Sequence, residues 1–317
     1  MKLPKNCTFI LNRMNRKLLF VFLFINSCQL YAQPIIFRES FKVVSGNSLM
    51  TVGYTSDTGN VISALVEVYP GAQGKISLTR IDKFGNVKWS NYYGLPDFES
   101  AYYPIELSDK SILLSGQTAT SEVLVFKTDS IGNLIWAKSI GTNQNEYSNR
   151  CIEGNSNSYF ICCSSGDPPD STHNVLLNLD SAGNVIWSRK FGSDNYDDNW
   201  SFIRTHDGGF AFMGTTEGFG VTIRDFYFVR LDSLGNVLWS RTFGGSNQEY
   251  GRSVVETDNN DFILFGETLS FGLTYKGLVI KIDSVGNFIW SKTFDNCTSM
   301  ANAFKMPDGN IIVSNCC

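Results

Sequence analysis

The eight-residue pattern Asp-x-x-Gly-Asn-x-x-Trp occurs five times in this 317-residue chain. It runs from Asp82 to Trp89, Asp129 to Trp136, Asp180 to Trp187, Asp232 to Trp239 and Asp283 to Trp290, and successive tryptophans are 47, 51, 52 and 51 residues apart. A near-constant period of this length marks a repeat architecture, in which each unit buries its apolar faces against its neighbours.

Each pattern sits between two short apolar runs, such as Phe226 to Leu231 before and Val237 to Phe243 after. These runs are rich in β-branched and aromatic residues and too short for helices. Two of them joined by a Gly-Asn turn read as a β-hairpin, with the Gly supplying a positive φ and the Asp side chain accepting backbone N–H bonds. A second hairpin fills the other half of each repeat, as in Phe202 to Thr205, a turn at His206-Asp207-Gly208-Gly209, then Phe210 to Thr215. Most second hairpins carry a Gly near the end of their second strand: Gly53, Gly116, Gly214, Gly266.

Four strands in about 50 residues make the blade of an all-β propeller. With strands labelled a and b for the second hairpin and c and d around the repeated pattern, complete blades are expected over 41–93, 101–140, 150–191, 201–243 and 252–294. A partial sixth begins with Met300 to Met306 and Asn310 to Cys316, so the chain reads as five blades plus a half, or as a truncated piece of a larger ring. Ile36 to Phe41 resembles Ile289 to Phe294 and offers a candidate strand d for the sixth blade. A closed ring would be a monomer. The repeated Trp is followed by a small residue and, three residues after that, by a large apolar one (Tyr93, Ile140, Phe191, Phe243, Phe294), which suits blade-to-blade packing. A ladder of ligand-stacking aromatics is the competing reading.

The stretch Arg230-Leu231-Asp232-Ser233-Leu234-Gly235-Asn236-Val237-Leu238-Trp239-Ser240-Arg241-Thr242-Phe243-Gly244-Gly245 and the turn Asp207-Gly208-Gly209-Phe210 resemble the secreted β-propeller-repeat proteins of Bacteroidota, many of them exported by the type IX route. The resemblance covers about residues 41–317 and implies a propeller, with no activity carried over. The spacing is also similar to the tryptophan-docking motif of quinoprotein dehydrogenase propellers, though their Asp-to-Gly interval is one residue longer. That likeness implies shared architecture and no quinone site; no cofactor is expected.

The N-terminus reads as an export signal over residues 1–32, leaving a propeller domain over 33–317. Arg13, Arg16 and Lys17 precede the apolar run Leu18 to Ile25, and Leu30-Tyr31-Ala32 offers a small-residue cleavage site. That apolar run is too short to span a membrane. Met14 is an alternative start, and Cys28 after Ile25-Asn26-Ser27 is an alternative lipoprotein anchor. The expected location is secreted or outer surface, with the periplasm as the other option. A net charge of -4, without a basic run beyond the N-terminus, argues against a nucleic-acid partner. Six cysteines follow the signal: Cys151, Cys162, Cys163, Cys297, Cys316 and Cys317. In an exported protein this even number invites disulfides, and counting outward from the turn at Asn155 to Asn157 places Cys151 opposite Cys162, an expected bridge. Cys297 has Cys316 or Cys317 as candidate partners. The adjacent pairs Cys162-Cys163 and Cys316-Cys317 lack metal-site spacing, so no metal is expected.

A four-strand blade sends its a–b and c–d turns to one face and its b–c loops and d–a crossings to the other. The first face is uniform; the second varies, from Ala119–Ser121 to the long Ser56–Gly74. Variable loops on a rigid scaffold are where binding concentrates. The crossings supply Asp97, Glu99, Glu146, Asp197, Asp198 and Glu249 as candidate ligand-binding residues, with Trp200 beside them as the one Trp outside the repeat. Oxygen-rich loops suit Ca²⁺, but equally the capping of turns, and no loop has the spacing of a known calcium motif. Only two histidines are present: His173, read as a b–c loop residue, and His206 in an a–b turn, which places them on opposite faces. No nucleophile, zinc or nucleotide motif appears. The expected function is a non-catalytic module that binds a glycan or protein or serves as a surface scaffold. The alternatives are a polysaccharide-active enzyme using two loop carboxylates, and an N-terminal part of a longer protein.

Overall fold

The computed structural model describes residues 48–66, 75–93, 98–118, 120–141, 146–155, 157–167, 171–221, 223–295, 297–306 and 308–316. The export segment over residues 1–32 and the Ile36 to Phe41 strand lie outside them. Among the described residues every element is a strand, and each sheet is antiparallel with its strands in chain order. The first sheet holds β1 (Ser48–Tyr54), β2 (Asn60–Val66), β3 (Lys75–Ile81) and β4 (Val87–Tyr93). The second holds β5 (Phe98–Glu106), β6 (Ile112–Thr118), β7 (Val123–Thr128) and β8 (Leu134–Ile140). The third holds β9 (Glu146–Glu153), β10 (Tyr159–Asp167), β11 (Ser171–Leu179) and β12 (Val185–Phe191). The fourth holds β13 (Asp197–Arg204), β14 (Phe210–Thr216), β15 (Asp225–Leu231) and β16 (Val237–Phe243). The fifth holds β17 (Glu249–Glu256), β18 (Phe262–Thr268), β19 (Lys276–Ile282) and β20 (Phe288–Phe294). Strands β21 (Ser299–Lys305) and β22 (Ile311–Cys316) form a two-stranded sixth sheet.

The sheets stack in order through five apolar layers. Leu78 and Val61 meet Phe126 and Ile112 between blades one and two. Val125 and Leu113 meet Tyr159 and Ile161 between two and three. Phe160 and Leu176 meet Phe210 and Phe212 between three and four. Phe228 and Met213 meet Phe262 and Leu264 between four and five. Phe265 and Val279 meet Ile311 and Val313 between five and six. The a strands of successive sheets are neighbours at the centre. Across that centre the Tyr103 hydroxyl and Arg150 Nη2 both donate to Asn302 Oδ1, at 3.3 and 3.4 Å, and the Tyr54 and Phe304 rings meet edge-on at 6.2 Å. Blades two, three and one thus touch blade six, and the described residues form a β-propeller of five four-stranded sheets and a two-stranded sixth.

The repeated pattern is a structural joint with two halves. Within a blade, the Asp caps its own turn: Asp232 Oδ1 accepts the N–H groups of Leu234 and Asn236 at 2.9 and 2.8 Å, and Gly235 sits at φ 76°. Between blades, the Trp lies on the next blade's turn. Trp89 Nε1 donates to Ser130 O and Trp136 Nε1 to Ser181 O, each at 3.1 Å. A Cβ on Gly132, Gly183, Gly235 or Gly286 would strike the preceding blade's Trp at 2.6–2.8 Å once Asn91 at Gly132 is set aside. The turn therefore needs Gly twice over, for its φ and for the indole above it.

A second joint repeats alongside. The basic residue two before the Asp reaches the Asp of its own blade's a–b turn: Lys127 to Asp109 at 2.9 Å, Arg230 to Asp207 at 2.5 Å, Lys281 to Asp261 at 2.8 Å. Arg80 does the same with Asp57 at 3.3 Å.

Three expectations change. The a strands start earlier than their apolar runs suggest, so residues read as crossings belong to β9, β13 and β17. In blade one, Ser56–Gly74 is an a–b turn, the strand β2 and a connection outside the described residues, and Gly53 lies in strand a. His173 lies in β11, not in a loop, with Nδ1 2.9 Å from Ser193 O; His206 stays in its a–b turn.

The expected Cys151–Cys162 bridge is absent. Cys151 pairs across the ladder with Ile161, and Cys162 with Arg150, so the offset of one residue puts the two thiols on opposite faces of the sheet. Cys151 packs between blades two and three, Cys162 between three and four. Cys151, Cys162, Cys163 and Cys297 are free and buried. Burial pushes the Cys151 thiol up to about 12 and those of Cys162 and Cys163 up as well. A thiol reagent is expected to leave all four untouched in the native protein and to titrate them in denaturant. A disulfide found by non-reducing peptide mapping would contradict this. The side chains of Cys316 and Cys317 lie outside the described residues.

Candidate functional site

Every a strand carries a bulge, at one corresponding position in blades one and three to six and one rung further along in blade two, where β5 slips a second time between Phe98 and Ser100. The register slips between Leu49 and Thr51, Tyr102 and Ile105, Ser148 and Arg150, Asn199 and Ser201, Gly251 and Ser253, and Met300 and Asn302. In blades four and five the bulged residues are Trp200 and Arg252. A bulge re-aims a side chain and bends its strand. The bend brings the strand a carbonyl over strand b, where a Cβ on Gly214 or Gly266 would meet Asp198 O or Tyr250 O at 1.9 and 2.0 Å. Trp200 is 43 % exposed in a strand otherwise largely buried.

Around these bulges runs a connected set of aromatic and charged side chains. Trp200 Nε1 donates to Asp198 Oδ2 at 2.9 Å, and the Arg252 guanidinium lies 4.5 Å from the Trp200 ring and 5.5 Å from that of Tyr250. Glu267 holds Arg252 at 2.6 Å. One layer out, Arg224 lies between the rings of Tyr196 and Tyr250 at 5.0 and 5.4 Å, donates to the Tyr250 hydroxyl at 2.9 Å, and is anchored by Glu217. Gln248 Oε1 accepts from Tyr275 at 2.8 Å and Tyr250 at 3.3 Å. Each arginine has a carboxylate partner, so the guanidinium planes are fixed rather than searching. The surface offers half-buried rings flanked by oriented donors and acceptors, a chemistry suited to ring-shaped polar ligands.

The candidate residues from the crossings fall into two groups. Glu146, Asp197 and Glu249 occupy one corresponding position, the first residue of strand a, and are buried, Asp197 and Glu249 completely (0 %). Asp197 and Glu249 cap their crossings, with Ser193 N donating to Asp197 Oδ2 at 2.5 Å and Gly245 N to Glu249 Oε2 at 2.7 Å, while hydroxyls of strand b donate to Glu249 (Thr268, 2.5 Å) and Glu146 (Ser165, 3.5 Å). One per blade, these acids serve the scaffold and are not gathered into one site. Glu99 is in β5, and Asp97 lies outside the described residues. Asp198 and Trp200 do come together, with Asp198 buried, accepting Thr215 N at 2.7 Å and orienting the indole. Arg224, Arg252, Gln248 and Tyr275 carry no signal of their own in the sequence. Aligning blades on the bulge, so that Asp198-x-Trp200 falls on Tyr250-x-Arg252, would have found Arg252. Among the described residues no group of three or more metal-ligating side chains assembles.

One carboxylate pair stands apart. Asp225, at the start of β15, and Glu249 close on the same side of Gly244, where a Cβ would meet Asp225 Oδ1 at 2.0 Å and Glu249 Oε2 at 2.7 Å. Burial, then the Glu249 charge, raise the Asp225 carboxyl from 3.8 to about 6. Between pH 4 and 6 the folded protein therefore binds more protons than the unfolded chain, so stability falls as pH rises through that window and levels off above it. The D225N variant is expected to lose this slope and to gain about 1 kcal/mol at pH 7.5, solvent screening included. Urea midpoints at pH 4.5 and 7.5 measure it; an unchanged slope would show that the pair is not responsible.

A separate hollow of about 190 Å³ lies on the regular face between blades three and four, lined by Asn155, Asn178, Arg204 and Ser233 among others. It falls where Asn178 replaces the basic residue of the second joint.

No family model matches the chain, and no curated protein does. Solved structures match over most of its length at low identity. The β-propeller domain of the Trilobed protease from Pyrococcus furiosus, described as having an open velcro topology, has a TM-score of 0.53 at 11 % identity, covering 85 % of this chain and 78 % of that one. A subtype N10 neuraminidase-like protein of A/little yellow-shouldered bat/Guatemala/060/2010 has a TM-score of 0.51 at 11 % identity, covering 80 % and 82 %. These likenesses establish the propeller fold. Among the described residues no helix is long and apolar enough to cross a membrane.

Proposed function

We propose that this chain is an exported, non-catalytic propeller of the kind found as secreted repeat proteins in Bacteroidota, and that it binds a glycan on the irregular face of blades four and five. Export rests on the basic, apolar and small-residue order of residues 1–32, the reading that leaves 33–317 as the functional unit at or beyond the cell surface. The observation that carries the binding reading is Trp200, a half-exposed indole in a strand bulge, flanked by Arg252 and followed by Tyr250, Arg224 and Tyr275. Sugars stack on such rings and hydrogen-bond to such flanks. The burial and crossing contacts of Asp197 and Glu249 favour binding over catalysis, because acids committed to backbone N–H groups are not free to act on a substrate.

A glycan array followed by calorimetry on the strongest ligand tests this. Trp200→Ala is expected to weaken binding about tenfold while changing stability by less than about 1 kcal/mol. Undiminished binding would move the site elsewhere. The raised Asp225 carboxyl, which stands with Glu249 beside Gly244, favours one second reading, a polysaccharide-active enzyme with Asp225 as its proton donor. Release of reducing sugar, abolished by Asp225→Asn, would establish it over the binding reading.

A further inference from the structure

At the joints on the regular face, cations are matched by carboxylates except between blades three and four. Arg80 pairs with Asp57 and Glu106, Lys127 with Asp109, Arg230 with Asp207 and Lys281 with Asp261. Blade three departs from this series twice. Asn178 stands at the basic position, and Ser156 at the turn position held by Asp57, Asp109 and Asp207 in blades one, two and four. Blade four supplies a cation from its own side instead. Arg204 ends β13, where β5, β9 and β17 end in Glu106, Glu153 and Glu256. Its Nη1 donates to Glu153 O at 3.2 Å and its Nη2 to Asn155 Oδ1 at 2.6 Å. Both acceptors are uncharged, and among the described residues Arg204 has no ion pair. Lys305, the cation that ends β21, has Asp258.

The hollow of about 190 Å³ lies at this joint. Asn155, Ser158, Asn178 and Arg204 line it, together with the rings of Phe160 and Phe210, whose centroids are 4.5 Å apart. Between blades two and three the corresponding Lys127 Nζ reaches Asp109 and the Tyr159 hydroxyl, each at 2.9 Å. Here the lysine is Asn178 and the tyrosine is Phe210, so both the filling side chain and its hydroxyl partner are gone. Asn178 Oδ1 is buried with no hydrogen-bond partner, an acceptor that calls for a donor. None of the described lining residues is acidic. We propose that this hollow is a second binding site, on the regular face, for a small carboxylate that also bears a hydroxyl. The carboxylate would stand against Arg204 in place of the missing acid, where only two of the five guanidinium donors are engaged. The hydroxyl would donate to Asn178 Oδ1. A cavity of roughly 150 Å³ takes up benzene, so this one suits a ligand of about six to ten non-hydrogen atoms.

The probe is glycerate, titrated at constant ionic strength and followed by ligand-observed NMR. Saturable binding is expected, with a dissociation constant of about 1 mM. Propionate keeps the carboxylate and lacks the hydroxyls; glycerol keeps hydroxyls and lacks the carboxylate. Each is expected to bind about tenfold more weakly or worse. Arg204→Gln keeps a donor for Asn155 and removes the charge, so it should bring glycerate down to the level of glycerol. Asn178→Leu should erase the preference for glycerate over propionate. Arg204 is exposed, so its variant tests the site even where the Asn178 variant lowers the melting temperature. Three results would each overturn the proposal: no saturable binding of glycerate, which would mean that the hollow holds water alone; equal binding of all three compounds; or glycerate binding unchanged by Arg204→Gln.

Discussion

Replacing Trp136 with Ala is expected to remove about 3 kcal/mol of stability, near the lower end for loss of a large core aromatic because the indole is only partly buried. The side chain packs against the layer of Tyr159 and Leu113, lies 6.2 Å from the Tyr159 ring, and donates to Ser181 O. Its loss removes apolar contact, leaves a groove between blades two and three, and strands one carbonyl on a turn. Against a total stability on the order of 10 kcal/mol this is a large fraction. Denaturant midpoints measure it. A change below about 1 kcal/mol would mean that the indoles decorate the blades rather than join them.

Gly183→Ala attacks the same contact from the other side and is expected to remove about 3 kcal/mol as well. Gly183 has φ 78°, which an L side chain adopts at about 1 kcal/mol, and its new Cβ would stand 2.8 Å from Trp136 Cζ3. Forcing the indole aside adds about 1–3 kcal/mol. The two contributions separate in a double-mutant cycle. With Trp136 already replaced by Ala, the Gly183→Ala penalty should shrink to about 1 kcal/mol, because the conformational part remains and the collision is gone. Simple additivity would show that the glycine serves its turn alone.

The scaffold was legible in the sequence because its joints are local and repeated. Asp, Gly, Asn and Trp at fixed spacing specify the turn, its positive φ and the indole that lies on the neighbouring turn, and nothing distant is needed to read them. Less was legible at the inner strands. The polar starts of β9, β13 and β17 look like loops because Glu146, Asp197 and Glu249 are hydrophilic, yet they are buried and paired with crossing N–H groups or neighbouring hydroxyls. A polar residue buried for structural reasons carries the same letter as one exposed for binding. The Cys151–Cys162 expectation failed on a similar point. Counting from a turn fixes distance along a strand, but a register offset of one residue decides the face. The Trp200–Arg252 contact joins two blades at positions defined by a bulge, a feature that shows up only in the pairing of two strands. Trp200 stood out as the Trp outside the repeat; Arg252 had nothing to distinguish it.

The indole-to-turn link has a direction. Trp89 reaches 41 residues forward and Trp136 reaches 45, always toward the C-terminus. A chain released N-terminus first therefore never waits long: each blade becomes locked when the next hairpin, less than one repeat downstream, has emerged. Loop-closure entropy grows slowly over such distances, so assembly proceeds as a series of similar short steps rather than one search over the whole chain. The same polarity makes the process one-sided. At any moment the newest indole is the one still uncovered, and a pause in synthesis leaves a single sticky end rather than a collapsed intermediate.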